Sequence, residues 1–68
     1  MCEFKVYLMG KTPEDKELVA KGIIVVKIRD ERVVLLNIMG EAIYIESAFI
    51  REVNTLSQEL ILQKEGSS

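Results

Sequence analysis

The sequence predicts a small all-β domain of about six strands, closed into a barrel and paired as a dimer. Its 68 residues are 49% hydrophobic, and Val, Ile and Leu supply most of that fraction; Val and Ile in particular favour strands. Short apolar segments alternate with turn-forming residues, as in small barrels and sandwiches. The chain carries more apolar side chains than one small barrel can bury, which favours a dimer.

The first two predicted strands differ in length and regularity. Residues 2–9 form the first strand, because apolar residues occupy every second position. Residues 10–15 form a loop, in which Pro13 can begin a single helical turn. Residues 17–28 form a long second strand that contains Gly22, and an interior glycine often marks a bulge or bend.

The remaining strands are shorter and separated by turns. Asp30-Glu31 lacks the glycine of an ideal two-residue hairpin, so we expect a longer turn there. The predicted strands are residues 32–38, 42–46, 49–53 and 58–63. A long bent second strand resembles that of SH3-like and Sm-like barrels, which need such bends to close. We therefore assign residues 1–65 to a single β-barrel domain and residues 66–68 to a disordered tail.

Two sets of apolar side chains follow from this pattern. The set expected inside the barrel is Phe4, Val6, Leu8, Ile24, Val26, Ile28, Val34, Leu36, Ile43, Ile45, Ile50, Leu60 and Leu62. The set expected to point the other way is Ile23, Val25, Val33, Leu35, Tyr44, Phe49 and Ile61. Part of the second set must contact another molecule. A twofold homodimer is the commonest arrangement that achieves this.

The inventory of reactive groups argues against an enzyme. The chain has no His and one Cys, so the usual Ser-His and Cys-His nucleophiles cannot form. Two pairs of carboxylates occur, Glu14-Asp15 and Asp30-Glu31, and both lie in predicted turns, where solvated acidic residues are ordinary. We therefore expect no catalytic site.

Cys2 is the one residue with metal-binding chemistry. Its thiolate and the nearby backbone nitrogens of Met1 and Cys2 are donors that suit Ni(II) or Cu(II). One Cys supplies too few ligands, whereas two copies of Cys2 on a dimer axis would supply two sulfurs and two nitrogens. From the pattern alone, a small buried hydrophobic role for Cys2 is favoured over this one, because free Cys is often buried.

Three cations, Lys27, Arg29 and Arg32, cluster near the predicted tip of the second hairpin. They could contact phosphate or RNA, as in an Sm-like RNA- or protein-binding module without metal. The net charge of −2 favours a solvated hairpin instead, since nucleic-acid binders usually show a basic excess. We expect no nucleic-acid partner.

The composition also predicts the compartment. A single cysteine and the lack of a hydrophobic signal core at the amino terminus favour the reducing cytoplasm. No segment approaches the roughly 20 apolar residues that span a bilayer, so no membrane association is expected.

Several short segments carry a resemblance to a known family. They are the opening Met1-Cys2, residues 5–8, the step Met39-Gly40-Glu41, residues 50–54 and the closing strand segment 59–62. Their order, spacing and total length resemble the CooT-like family of small nickel-binding proteins, which has also carried the label "predicted RNA-binding". The resemblance covers the whole chain.

The resemblance implies a homodimer with an SH3-like or Sm-like barrel, in which Cys2 of both chains binds Ni(II) and backbone nitrogen completes the site. It further implies an accessory role in nickel supply to carbon monoxide dehydrogenase, or to another nickel enzyme as client. On this basis Cys2 and Met1 are the expected metal-binding residues, and the metal-binding role of Cys2 replaces the buried one.

Overall fold

The structure, a computed structural model, describes residues 2–12 and 14–65. It confirms an all-β chain of six strands, whose bounds agree with the predicted ones to within two residues. The described residues include no helix, and therefore none long and apolar enough to cross a membrane. The predicted helical turn begins at Pro13 and so falls outside them. Met1, Pro13 and the predicted tail of residues 66–68 lie outside the described residues. The strands are β1 (Phe4–Met9), β2 (Lys16–Arg29), β3 (Arg32–Asn37), β4 (Ala42–Glu46), β5 (Ala48–Asn54) and β6 (Glu59–Lys64).

The six strands form one sheet in the order β4-β3-β2-β1-β6-β5, with only the β1–β6 pair parallel. The predicted closed barrel is wrong, because the edge strands β4 and β5 do not pair. Ser47 alone separates them, and two residues is the shortest common loop of an antiparallel hairpin. The chain therefore turns a corner at Ser47, where the Glu65 amide donates to the Ser47 carbonyl at 2.7 Å, and β5 pairs with β6.

Strand β2 is 14 residues long and belongs to both halves of the sheet. Its first half pairs with β1 and its second half pairs with β3. Phe4 pairs with Ile23 and Val6 pairs with Ala20, so β2 has one residue more than β1 between these two pairs. Gly22 lies in this irregularity at φ +68°, which confirms the predicted bulge.

The buried face of β2 and β3 differs from the predicted one. Ile24 was expected inside and is 46% exposed, whereas Ile23 and Leu35, which were expected to point the other way, are buried. Ile28 pairs with the buried Val33 and so lies on the core face as predicted, but it is 52% exposed near the end of the strand. Ile23 pairs with Asn37 and the next pair is Val25 with Leu36, so the extra residue Ile24 shifts the alternation of β2 by one. The buried cluster is Val6, Ala20, Ile23, Val33, Leu35, Ala48, Leu60 and Leu62.

The turn between β2 and β3 is shorter than predicted. Arg29 pairs with Arg32, so Asp30 and Glu31 form a two-residue loop. Asp30 adopts φ +59°, the left-handed conformation that glycine usually supplies. Asp is among the few other residues that visit this region, because its short side chain can hydrogen-bond locally.

Replacing Gly22 by alanine should destabilise the protein by about 1 kcal/mol, because a Cβ is disfavoured at positive φ. An added Cβ would lie 3.6 Å from Glu3 Oε1, an ordinary contact, so the cost arises from the backbone. Urea unfolding at fixed protein concentration measures this cost. Gly22→Asn is the matched control and should lose less, since Asn tolerates this conformation better. Equal losses would contradict the backbone explanation.

Candidate metal centre

Cys2 is a free, exposed cysteine that precedes the first strand. The role favoured by the pattern alone, a small buried side chain, is therefore wrong for the single chain. The other predicted metal-binding residue, Met1, lies outside the described residues. The Cys2 thiol is thus accessible, just before the amino-terminal end of β1.

The sheet holds the chain immediately after Cys2. The first strand pair is Phe4 with Ile23, and the Lys5 amide donates to the Gln58 carbonyl at 2.9 Å. Only Glu3 lies between Cys2 and Phe4, so the Cα atoms of Cys2 and Phe4 lie within about 7 Å of each other. Cys2 is therefore held close to the sheet, although it lies before β1 and is not itself paired with another strand.

The acidic neighbour of Cys2, Glu3, lies against the bend in β2. A Cβ built on Gly22 would be 3.6 Å from Glu3 Oε1, so this carboxylate lies close to Gly22. Among residues 2–12 and 14–65, no three His, Cys, Asp or Glu side chains are grouped closely enough to hold a metal. Each chain thus offers one thiol at this end.

Apolar side chains surround the same end of the sheet. Two open cavities, of about 370 and 220 Å³, share Phe4 as a lining residue. Ile38 and Met39 line the larger cavity, and Ile24 and Val53 line the smaller one. We define the apolar end as five exposed apolar residues. Four line these cavities, Ile24, Ile38, Met39 and Val53, and the fifth, Leu56, lies in the turn after β5.

Two asparagine-centred turns hold the most exposed members of the apolar end. Asn37 Oδ1 accepts hydrogen bonds from the amides of Met39 and Glu41, both at 2.9 Å. Asn54 Oδ1 accepts from the amides of Leu56 and Ser57, both at 3.0 Å.

These turns fix Met39, which is 80% exposed, and Leu56, which is 95% exposed, in solvent. Neither asparagine was predicted from the sequence to have a role. The signal for both is an Asn two residues before an apolar turn residue, since Asn side chains cap turns in this way.

The three predicted cations lie together, away from Cys2. Lys27, Arg29 and Arg32 line one open cavity of about 460 Å³ on the opposite face of β2 and β3 from the core. Arg32 Nε lies 2.6 Å from Glu46 Oε2, and its guanidinium lies 5.7 Å from the ring centre of Tyr44. The structure therefore confirms the cluster but does not join it to Cys2.

Comparison with known proteins identifies the family. The family model described as CO dehydrogenase accessory protein CooT matches residues 1–63, which is nearly the whole chain. No curated protein matches the sequence. The matched region includes Cys2 and all but the last residue of β6. The chain thus belongs to the CooT family of CO dehydrogenase accessory proteins.

Proposed function

We propose that this protein is a homodimeric Ni(II)-binding accessory factor of the cytoplasm, which carries nickel for a client enzyme such as CO dehydrogenase. Cys2 of both chains holds the metal, and backbone nitrogens of Met1 and Cys2 complete the site. The protein assists a catalyst and is not one itself. The observation that carries the proposal is the exposed, anchored Cys2 at the apolar end.

The chemistry of the donors supports nickel. A thiolate is a soft ligand, and sulfur together with nitrogen suits Ni(II) or Cu(II) better than Mg²⁺ or Ca²⁺. The chain contains one Cys and no His, so a second copy is the simplest source of a second strong ligand. Nickel bound in this way would be accessible for transfer, because Cys2 lies before the first strand.

The apolar end supports the dimer. Leu56, Met39 and Val53 are exposed to water in the single chain, which is costly for large apolar side chains. A twofold axis through this end would bury the surface in both copies, since the same patch meets itself. The same axis would bring the two Cys2 residues together. One twofold dimer would thus both bury the apolar end and bring together the two thiolates that bind the metal.

Ile24→Glu tests whether the apolar end forms the dimer. The variant should sediment as a monomer and bind nickel more weakly, because a carboxylate would be buried without a partner. Wild-type protein should sediment as a dimer and take up one nickel per two chains.

Ile28→Glu is the matched control, since Ile28 lies on the same strand, is 52% exposed against 46% for Ile24, and sits near the opposite end of the sheet. It should remain a dimer and keep its nickel. A wild-type monomer that binds one nickel per chain would refute the shared site. Dissociation by both variants would place the interface elsewhere.

A further inference from the structure

The two edges of the sheet are built differently. Edge strands expose unpaired backbone groups, and proteins usually protect them with bulges or charges. Strand β5 has both a bulge and charges. The bulge is at Arg51, an extra residue between the pairs Ile50–Leu62 and Glu52–Ile61. Arg51 and Glu52 also place opposite charges in the middle of this edge.

Strand β4 has no bulge and no charged residue in its interior. Its five partner pairs with β3 advance one residue at a time on both strands, from Arg32–Glu46 to Leu36–Ala42. Its sequence is Ala-Ile-Tyr-Ile-Glu, so one charge stands at its end and none within it. A flat, mostly apolar edge of this kind is a template for pairing with another extended chain.

The face beside this edge is cationic. Lys27, Val34 and Tyr44 form one row across β2, β3 and β4, and Arg29, Arg32 and Glu46 form the next. Directly paired residues share a face of the sheet. The side chains of Lys27, Arg29 and Arg32 therefore point to the same side of the sheet as Tyr44.

Two of these cations are free to meet a partner. In the described part of the chain, Lys27 and Arg29 lie within 4 Å of no carboxylate, whereas Arg32 pairs with Glu46 at 2.6 Å. The whole chain carries a net charge of −2, so this positive face differs in sign from the rest of the molecule. An anionic partner would be attracted to this face specifically.

We propose that β4 binds an extended acidic segment of a partner protein as an added strand. The backbone of that segment pairs with the free edge of β4, about 4.8 Å away. Acidic side chains at alternate positions of the segment lie on the same face of the sheet as Tyr44. Lys27 and Arg29 lie on β2, two strands farther in, and attract these side chains through long-range electrostatics at low salt. A second copy of this chain fits less well, because it would bring the same cations to the same face.

A protein segment also fits this surface better than RNA does. Only three cations are grouped here. Proteins usually bind nucleic acids through broad basic surfaces that neutralise many phosphates. The unprotected strand edge, in contrast, offers backbone pairing that only a polypeptide can use.

The probe is a capped seven-residue peptide of alternating Val and Glu with a fluorescent label, titrated at low salt by anisotropy. Lys27→Glu with Arg29→Glu should weaken binding roughly tenfold, because two attractive charges become repulsive. Lys11→Glu with Arg51→Glu is the matched control, since it changes the net charge equally at exposed positions elsewhere. It should leave the affinity within about twofold of wild type.

Two further probes separate the components of the proposal. The same peptide methylated on its backbone nitrogens should not bind, because it cannot pair with β4. A single-stranded RNA of similar charge should bind more weakly than the peptide. Equal weakening in both double variants, binding of the methylated peptide, or tighter binding of RNA would each overturn the proposal. None of these outcomes depends on Cys2 or on nickel.

Discussion

Cys2→Ser should abolish nickel binding while the protein remains folded and dimeric. Losing the metal-ligating sulfur should cost more than the roughly 10- to 100-fold in affinity that loss of an outer-shell partner costs. Serine is close to cysteine in size, and Cys2 is exposed, so the substitution removes no packing. An anaerobic Ni(II) titration, followed by thiolate-to-nickel charge-transfer absorption, measures the effect.

Met39→Leu is the control for Cys2→Ser. Met39 also exposes a sulfur at the apolar end, but a thioether is a weaker nickel ligand than a thiolate. This variant should keep both the absorption band and the stoichiometry of one nickel per two chains. Unchanged nickel affinity in Cys2→Ser would exclude the thiol as a ligand. Loss of the circular dichroism spectrum of a folded chain would instead make Cys2 structural.

Leu62→Ala should destabilise the protein more than any other substitution proposed above. Leu62 is fully buried in the core cluster on β6. Removing such a side chain costs about 2–5 kcal/mol, through lost burial and the cavity that remains. The total stability of a small domain is about 5–15 kcal/mol, so this loss is a large part of it. Urea unfolding of the wild type and the variant, at the same protein concentration, gives the difference.

Leu56→Ala is the matched control, because it is the same truncation at a residue that is 95% exposed. In a monomer it should change the free energy of unfolding by less than about 0.5 kcal/mol. If the apolar end forms the dimer, Leu56→Ala should become destabilising at protein concentrations where the dimer dominates. A small effect of Leu62→Ala would contradict the assignment of the core.

The metal-binding candidate was predictable because its chemistry is local. Cys2 is the only thiol of the chain, and the family resemblance of the sequence is enough to connect it with nickel. The structure adds that Cys2 is exposed and that Phe4 anchors it beside an apolar surface. That surface was not predictable, since Ile24, Met39 and Leu56 are far apart in sequence and come to the same end of the sheet only through the order of the strands.

The sequence by itself determined that the chain is all-β, where its six strands begin and end to within two residues, and which residue is the candidate metal ligand. These properties depend on neighbouring residues: period-two alternation, turn-forming residues and a single cysteine. Only the tertiary structure decided which face of β2 and β3 is buried, because Ile23–Val26 and Val33–Leu36 are apolar on both faces and a one-residue bulge at Ile24 sets the register. It also decided that the barrel stays open, because Ser47 alone is too short a connection for β4 to pair with β5.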